Sequence, residues 1–294
     1  MSNQNPLQYK TRSGDLISAQ GADGLQRFLY KSAAGELVGL PIATSAAVTK
    51  LVGAFMNSRS STKIISGFIK SNNIDMSQVA CNKFDCFNDF FTRKLCDGAR
   101  PVSDDPNLLI SPCDSKLTYY KISSDGEYVI KGKKYTFDSL VGNNNLSKHY
   151  LDGDLLVFRL CVDDYHRYGY TETGRVSKTK VIKGKFHTVQ PIAYETKQVL
   201  SENQREYCLI RTDNFKTIMQ MEVGAMLVGK IQNHNSNEHD AIRGNEKGMF
   251  LFGGSTIVVA LQKDAAIIDE DIILNSAEGY ETIVKYGEPI GKKF

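Results

Sequence analysis

The sequence lacks a long apolar run. A membrane-spanning helix needs roughly 18 or more consecutive apolar residues, and no stretch of that kind occurs in the chain. The first residues, "MSNQNPLQYKTRSGD", are polar and lack the apolar centre of a signal peptide. We therefore expect neither a transmembrane helix nor a secretory leader.

The sequence also lacks paired cysteines. Its six cysteines are scattered, and none forms a Cys-x-x-Cys pair, so we expect reduced cytosolic thiols. His234 and His239 share one polar loop, but this spacing is a weak signal for a metal, and we expect none. The six are Cys81, Cys86, Cys96, Cys113, Cys161 and Cys208.

The sequence has no large excess of basic or acidic residues. The chain holds 36 Lys and Arg against 33 Asp and Glu, and a formal net charge of +3 is too small to indicate a nucleic-acid partner. The first 100 residues hold 12 basic residues against 7 acidic ones. This basic third either faces an anionic surface such as a membrane or is simply a solvated face.

Several common catalytic motifs are absent. The sequence contains no Gly-x-Gly-x-x-Gly, no P-loop and no His-Glu-x-x-His. The tetrapeptide "GGST" at 253–256 lacks the Gly-x-Ser-x-Gly pattern of a nucleophile elbow, which disfavours a serine hydrolase.

Two kinds of sequence follow one another and predict an α+β fold. Residues from about 23 to 95 have helical periodicity, and from about 108 onward short runs rich in Val, Ile, Tyr and Phe are broken by Gly, Asn and Asp. We therefore predict a helical region over residues 1–100, followed by a mostly antiparallel β domain over residues 101–294. The final segment, from 264 to 291, is typical of small closing strands.

The apolar stripes of the helical region have two interpretations. Residues 87–95 place Phe87, Phe90, Phe91 and Leu95 on one face, which favours core packing. The segment 63–70 begins and ends with a lysine, and 46–55 is rich in small residues and contains Lys50. Their stripes suit either core packing or a surface that touches lipid.

The stretch "GMFLFGGSTIVVA" (248–260) places two glycines, a serine and a threonine between two apolar runs. A tight turn accounts for a glycine, but it accounts less well for Ser255 directly after Gly254. Because glycine has no Cβ, its carbonyl is unshielded, and a neighbouring hydroxyl can attack it when a base takes the proton. The resulting ester can eliminate and hydrolyse to a pyruvoyl group, which is an electron sink.

Two further residues have chemistry-bearing contexts. His166 in "RLCVDDYHRYGY" follows two acids, and a carboxylate can fix the tautomer of a nearby imidazole. Asp114 in "SPCDSK" follows a proline in a turn. Taken alone, His166 is more typical of a hydrogen-bonded structural histidine, and Asp114 of a turn cap.

In combination, these motifs resemble those of the phosphatidylserine decarboxylase family over about residues 84–260. The resemblance implies a proenzyme that cleaves itself between Gly254 and Ser255 into a β chain (1–254) and an α chain (255–294). The α chain would begin with a pyruvoyl cofactor made from Ser255. The matching motifs are "FNDFFTRKLCDGARPV" (87–102), "SPCDSKL" (111–117), "RLCVDDYHRYGY" (159–170), "HTVQP" (187–191), "LSENQRE" (200–206), "EVGAMLVGKI" (222–231) and "GNEKGMFLFGGST" (244–256).

The resemblance also implies a reaction. The amine of phosphatidylserine would form a Schiff base with the pyruvoyl carbonyl, CO2 would leave, and protonation would give phosphatidylethanolamine. Two alternatives remain open: a pyruvoyl-dependent decarboxylase of a soluble amino acid, and a homologue that does not process itself and only binds lipid.

The family drives cleavage with an Asp–His–Ser arrangement, and the resemblance assigns these roles to three residues. Asp114 and Ser255 match the Asp and the Ser, although Ser115 stands where the family usually has glycine. His166 matches the first His of "YHR-x-H", which is associated with decarboxylation.

The second His, expected to activate the serine, is replaced by Gly169. Either His166 serves both steps, or His187 reaches the space left by Gly169 from a neighbouring strand. The second alternative requires residues 154–170 and 179–189 to pair as one long antiparallel ribbon. We favour His166, because it lies beside Asp164 in the matched motif.

The implied partners follow from a lipid substrate. We expect peripheral binding to the cytoplasmic side of the cell membrane, chiefly through residues 37–70, and no nucleic acid. The β and α chains are expected to form a heterodimer.

Overall fold

The computed structural model describes residues 7–19, 24–32, 34–130, 133–194, 197–225, 230–253 and 255–294. Within them, helices concentrate before residue 92 and strands after residue 107, and most strand pairs are antiparallel. The predicted α+β class, with a helical N-terminal region and a mostly antiparallel β part, is therefore confirmed.

Short helices make up most of the N-terminal region. Ser45 begins the longest of them, because its side chain accepts a hydrogen bond from the Val48 N–H and so caps the first turn. A π-helical turn spans Gly35–Gly39, and a 3₁₀ helix spans Arg59–Ile64. The α-helices are α1 (Gly24–Lys31), α2 (Leu40–Ala43), α3 (Ala46–Met56), α4 (Ile65–Ser71) and α5 (Phe87–Phe91).

Strands dominate the rest of the chain. They are β1 (Leu7–Lys10), β2 (Leu16–Ala19), β3 (Leu108–Ile110), β4 (Ser115–Lys121), β5 (Glu127–Ile130), β6 (Lys133–Thr136), β7 (Asp154–Leu160), β8 (Arg167–Gly169), β9 (Gly174–Val176), β10 (Lys180–Ile182), β11 (Arg205–Arg211), β12 (Thr217–Val223), β13 (Ile231–Asn233), β14 (His239–Ala241), β15 (Glu246–Phe250), β16 (Ser255–Leu261), β17 (Ala266–Ile268), β18 (Glu281–Val284) and β19 (Pro289–Lys293). The intervening helices are α6 (Phe137–Val141), α7 (Asn144–Ser147), α8 (Pro191–Tyr194), α9 (Val199–Glu202) and α10 (Glu270–Ala277), and a 3₁₀ turn spans Lys148–Tyr150.

One large sheet organises the molecule. Its strand order is β14-β9-β11-β12-β16-β7-β4-β18-β1-β2, and β10 also pairs with β11. Three small sheets accompany it, with the orders β13-β15-β8, β17-β19-β3 and β5-β6. At the start of β16, in the middle of the sheet, Ser255 pairs with Leu160 of β7 and Thr256 pairs with Val223 of β12.

Apolar cores cover both faces of the large sheet. Every residue of β7 and β16 is buried, as expected for central strands that are covered on both sides. Val258 and Ala260 belong to a first core, and Ile257 and Val259 belong to a second. Because side chains alternate along a strand, Ser255 faces the second core, as Ile257 does.

A third apolar cluster joins the helical region to the sheet. Phe87, Phe90 and Phe91 of α5 are fully buried, and Phe68 of α4 and Phe252 pack against them. We call this group the phenylalanine cluster. It confirms the predicted core packing of the 87–95 segment, although α5 itself ends at Phe91.

Some expectations were wrong in detail. Strands β1 and β2 lie within residues 1–100, and β1 pairs in parallel with β18, so this region also contributes to the large sheet. The final segment contains α10, whose first turn carries Glu270 and Asp271, acids that favour a helix N-terminus. The boundary predicted at residue 100 remains a prediction.

The long ribbon proposed for residues 154–189 was also wrong. Both edges of β7 are already paired, with β4 on one side and β16 on the other. Strand β8 pairs with β15, and β10 pairs with β11. The two halves of the expected ribbon therefore lie in different parts of the fold.

No single helix in the described ranges has both the length and the apolarity needed to cross a membrane. Two neighbouring segments pass this test together on length and composition, with a bend of 51° between them. They are Leu37–Ala43 and Ala47–Met56.

Candidate functional site

The predicted serine, histidine and aspartate lie near the same end of the central strands. Ser255 is the first residue of β16 and is paired with Leu160, the last residue of β7. His166 follows in the turn that leaves β7, and Asp114 directly precedes β4, the other neighbour of β7. The strand register thus groups residues that are far apart in sequence.

The Ser255 hydroxyl is buried and unsatisfied. The residue is fully buried, and its Oγ has no hydrogen-bond partner among the residues described. Gly253 just before it has a φ of +140°, a conformation that side-chain-bearing residues rarely adopt. Gly254, the other residue of the predicted cleavage site, lies outside the described residues. An orphaned buried hydroxyl carries a free-energy cost, and the role of Ser255 as the cleavage residue remains a prediction.

The His166 ring is held in the tautomer that leaves Nε2 free to accept a proton. Its Nδ1 lies 2.9 Å from the backbone oxygen of Asp164. Because a carbonyl only accepts hydrogen bonds, Nδ1 carries the proton and Nε2 carries the lone pair. Nε2 is buried and finds no partner within the described ranges.

The surroundings of His166 keep its ring neutral. Burial lowers its pKa from 6.5 to about 3, with the nearby Asp164 opposing that shift and Arg93 adding to it. The ring packs on Phe91 with 3.9 Å between centroids, and the His166 carbonyl accepts the N–H of Phe250. At physiological pH, Nε2 is therefore a neutral proton acceptor in an apolar site.

A buried ion pair fixes the turn that carries His166. The Lys116 ammonium lies 2.7 and 2.8 Å from the two carboxylate oxygens of Asp164, and the Cys161 N–H donates to the same carboxylate at 2.7 Å. Burial alone would raise the pKa of Asp164, but Lys116 and these hydrogen bonds hold it below its ordinary value. His166 is thus oriented by the backbone of Asp164, whereas the carboxylate anchors the turn.

Asp114 belongs to a separate ion-pair network. Arg100 donates to both of its carboxylate oxygens, at 2.8 and 2.6 Å. Lys285 lies 3.4 Å away, and the Tyr286 N–H donates to it at 2.9 Å. In the described structure its hydrogen bonds go to these partners and not to His166, so its place in a catalytic triad remains a prediction.

The phenol of Tyr286 occupies the space beside Gly169. A Cβ on residue 169 would lie 2.2 Å from Tyr286 Oη and 3.0 Å from the Asn245 oxygen. The Tyr286 hydroxyl donates to the Gly244 carbonyl at 2.8 Å. The alternative in which His187 reaches the space left by Gly169 is therefore wrong, because Tyr286 occupies it.

His187 lies elsewhere, beside the first core. Its Nδ1 is 3.5 Å from the Tyr30 hydroxyl, and its Nε2 is 3.3 Å from a carboxylate oxygen of Glu202. Its backbone exchanges two hydrogen bonds with the Asn203 side chain. Tyr30 belongs to the first core, whereas Ser255 faces the second. A catalytic role for His187 remains a prediction.

Several buried charges near these residues were not predicted from the sequence. Arg93 is only 5% exposed, and its Nη2 donates to the backbone oxygens of Asp163 and Asp164. Lys247 and Glu222 form a fully buried pair at 2.6 Å. Only Glu222 carried a signal in the sequence, as a lone acid in the largely apolar run "IMQMEV".

Possible metal ligands meet at one place in the described structure. Ligand atoms of Cys161, Asp163 and Asp164 lie within 4.8 Å of one another. Both oxygens of Asp164 are held by Lys116, so a cation there would compete with an ammonium group. His234 and His239 have separate partners, Glu246 and Tyr170.

Large apolar side chains are exposed on the N-terminal helices. Leu37 is 81% exposed and Leu51 is 73% exposed, and basic residues such as Lys50 and Lys63 are exposed beside them in sequence. Exposed apolar side chains that lie close together in sequence and beside basic residues are a candidate interaction surface. We call this set the exposed apolar residues; it comprises Phe28, Leu37, Val38, Ile42, Leu51, Phe55 and Ile64.

Comparison with known proteins identifies similar sequences over most of the chain. The phosphatidylserine decarboxylase family model matches residues 87–292. "Phosphatidylserine decarboxylase proenzyme 2" of Clostridium acetobutylicum is 42% identical over 273 residues, covering 93% of each chain. A phosphatidylserine decarboxylase proenzyme of Clostridium botulinum (strain 657 / Type Ba4) is 43% identical over 83% of this chain and 84% of its own, and one of Clostridium tetani is 37% identical over 97% of each.

Proposed function

The chain belongs to the phosphatidylserine decarboxylase family, and we propose that it is a proenzyme whose processed form converts phosphatidylserine to phosphatidylethanolamine and CO2. One observation carries the proposal for this chain. Ser255 Oγ and His166 Nε2 are both buried and unsatisfied, near one end of the same strands. An alcohol and a neutral imidazole in this state are suited to nucleophilic attack assisted by a base.

Self-cleavage follows from these two groups. His166 Nε2 takes the Ser255 hydroxyl proton, Oγ attacks the Gly254 carbonyl carbon, and the Gly254–Ser255 C–N bond breaks as its nitrogen takes that proton. The product is an ester, with a free amine on Ser255. Removal of the Ser255 Cα proton then breaks the Cβ–Oγ bond and releases the Gly254 carboxylate. Hydrolysis of the remaining enamine by water releases ammonia and leaves a pyruvoyl group.

The residues present suit such a group. Its precursor hydroxyl is buried without a partner in the described structure, on a strand enclosed by the second core. The pyruvoyl group supplies an electron sink for loss of CO2. His166 Nε2 holds and returns protons beside it, and the Phe91 ring keeps water from the imidazole.

The two chains remain together in this proposal. Strand β16 would begin the α chain, and it pairs with β7 of the β chain along its whole length and with β12 from Thr256 to Ala260. Strand β18 pairs with β4, and β19 pairs with β3. Cutting the chain before Ser255 therefore leaves the α chain held inside the sheets.

The exposed apolar residues favour a lipid over a free amino acid as substrate. We propose that they bind the cytoplasmic face of the cell membrane peripherally, with nearby lysines attracted to anionic lipid. This observation disfavours the soluble amino-acid alternative. If the protein instead does not cleave itself and only binds lipid, we expect one intact chain that binds lipid without releasing CO2.

The test is an assay of purified, two-chain protein with three substrates. We expect CO2 release and phosphatidylethanolamine from phosphatidylserine vesicles, and none from free serine or aspartate. A Ser255→Ala variant, which lacks the hydroxyl, is the control. Release of CO2 from a free amino acid alone, or lipid binding without any CO2 from processed protein, would contradict the proposal.

A further inference from the structure

Arg93 is buried with two guanidinium nitrogens unused. Its Nη2 donates to the backbone oxygens of Asp163 at 3.1 Å and Asp164 at 3.4 Å. Its Nε and Nη1 are shielded from solvent and have no hydrogen-bond partner in the described part of the chain. Unsatisfied charged donors are costly to bury, so this edge of the guanidinium is suited to an acceptor that arrives later.

Arg93 lies beside the proposed base. The Asp164 backbone oxygen accepts from Arg93 Nη2 and is the same atom that holds His166 Nδ1. One carbonyl therefore fixes both side chains. The Asp164 carboxylate is occupied by Lys116, and the described ion pairs give Arg93 no carboxylate of its own. Its positive charge remains available to an anion.

The position of Arg93 in the fold indicates which anionic group of a phospholipid it would bind. Phe68 of α4 packs edge-on against Phe90, whose ring lies 5.4 Å from the Arg93 guanidinium carbon. The next ring, Phe91, contacts His166. Arg93 is thus connected through Phe90 and Phe68 to α4, which directly follows the exposed Ile64, and through the Asp164 carbonyl to the base. A phospholipid has the same order: acyl chains, phosphodiester, then headgroup.

The chemistry of decarboxylation favours the phosphodiester over the carboxylate. The carboxylate loses its charge as CO2 leaves, so a cation bound to it would stabilise the substrate more than the transition state. The phosphodiester keeps its charge throughout, and the planar guanidinium fork matches two phosphate oxygens. We propose that the Nε–Nη1 edge of Arg93 binds the phosphodiester of the substrate and so sets the position of its serine headgroup. This rests on the proposed function.

Self-cleavage would change the phenylalanine cluster, whose Phe90 ring contacts Arg93. Phe252 packs on Phe87 and Phe91, with 4.9 and 5.3 Å between centroids, and its N–H donates to the Asn88 side chain. After cleavage, Phe252 lies two residues from the new end of the β chain and is no longer tethered to β16. The substrate would therefore meet Arg93 in the processed enzyme, and the experiment uses that form.

The experiment separates phosphodiester from carboxylate with two probes. Dihexanoyl-phosphatidylethanolamine carries the phosphodiester without a carboxylate, and O-dodecylserine carries the carboxylate without a phosphodiester. The variants are Arg93→Gln, which removes the charge, and Arg93→Lys, which keeps the charge without the fork. Lys94→Gln, at the exposed neighbouring position, is the matched control. Each is first shown by mass to be two chains, and binding of the first probe is then measured by calorimetry.

We expect Arg93→Gln to weaken phosphatidylethanolamine binding, and to raise KM for dihexanoyl-phosphatidylserine, by about 10- to 100-fold. Turnover of O-dodecylserine should change little, Arg93→Lys should be intermediate, and Lys94→Gln should match wild type. If Arg93→Gln is not processed and remains one chain, the same binding and KM measurements on Arg93→Lys test the assignment.

Unchanged phosphatidylethanolamine binding in both Arg93 variants, no binding by wild type, or an equal loss on both substrates would overturn the assignment. If wild type binds phosphatidylethanolamine through Arg93 but releases no CO2 from phosphatidylserine, the proposed function fails while the phosphodiester assignment stands.

Discussion

The Tyr286 phenol packs directly against the Cα of Gly169, leaving no room for a side chain at that position. The two residues are far apart in sequence, and in the processed form that we propose they belong to different chains. The glycine that departs from the family pattern is therefore matched by a tyrosine that fills the space, and the backbone N–H of the same tyrosine holds Asp114. This packing leaves no room at position 169 for the second histidine of the family pattern.

Replacing Gly169 should destabilise the protein rather than improve it. We expect Gly169→Ala to lower the free energy of unfolding by about 1–3 kcal/mol, because the added Cβ overlaps Tyr286 Oη. In a Tyr286→Phe background the same substitution should cost less, since the overlapping oxygen is gone. Urea unfolding of the four proteins, each carrying Ser255→Ala to prevent processing, measures both effects. Equal costs in the two backgrounds would show that Tyr286 does not set the constraint.

The depressed pKa of His166 predicts a pH dependence of stability. Its pKa is about 3 in the folded protein against 6.5 ordinarily, so between these values the unfolded chain binds a proton that the folded chain excludes. The stability it contributes is present above pH 6.5 and falls by about 1.4 kcal/mol per pH unit as pH drops towards 3. Urea unfolding from pH 5 to 7 should give a shallower dependence for His166→Gln. Parallel curves would contradict the neutral, buried imidazole.

The Lys116–Asp164 pair should be essential to the turn that carries His166. Lys116→Met leaves a buried carboxylate without its cation, and we expect a loss of about 3–5 kcal/mol in the free energy of unfolding. Adding Asp164→Asn should recover part of that loss, because the orphaned charge is removed. Lys134→Gln, which breaks an exposed pair with Glu127, is the control and should change little. If Lys116→Met is as stable as wild type, the pair does not anchor the turn.

Membrane binding should depend on the exposed apolar residues. Each leucine that enters the lipid contributes about 1.5–3 kcal/mol, so Leu37→Glu with Leu51→Glu should weaken binding to anionic vesicles at least tenfold. Leu274→Glu, at an exposed leucine of α10, is the matched control. Vesicle flotation at two salt concentrations measures the binding. Flotation that is unaffected by the double substitution would place the contact elsewhere.

Much of the fold was predictable from local patterns, and the remainder depended on distant contacts. The runs that became β7, β11 and β16 each contain an unbroken apolar segment, "LLVF", "YCLI" and "IVVAL", which located the strands. Pairing of β1 with β18 joins the two ends of the chain, and no local pattern encodes it.

The same distinction holds for the candidate site. Ser255, His166 and Asp114 were identified through motifs, and the strand register brings them to one end of the sheet. The crowding of Gly169 by Tyr286 and the sharing of one carbonyl by Arg93 and His166 depend on tertiary packing. A missing histidine in the motif suggested a vacant space, whereas packing had already filled it.

The central claim is that Ser255, activated by His166, cuts the chain after Gly254. Intact-mass spectra of wild type, Ser255→Ala, His166→Ala and His187→Ala after equal incubation test it most directly. We predict two wild-type fragments that divide between residues 254 and 255, the smaller blocked by a pyruvoyl group. The same division is expected for His187→Ala, and a single intact chain for the other two variants. A wild-type chain that remains whole, or complete cleavage of His166→Ala, would contradict the claim.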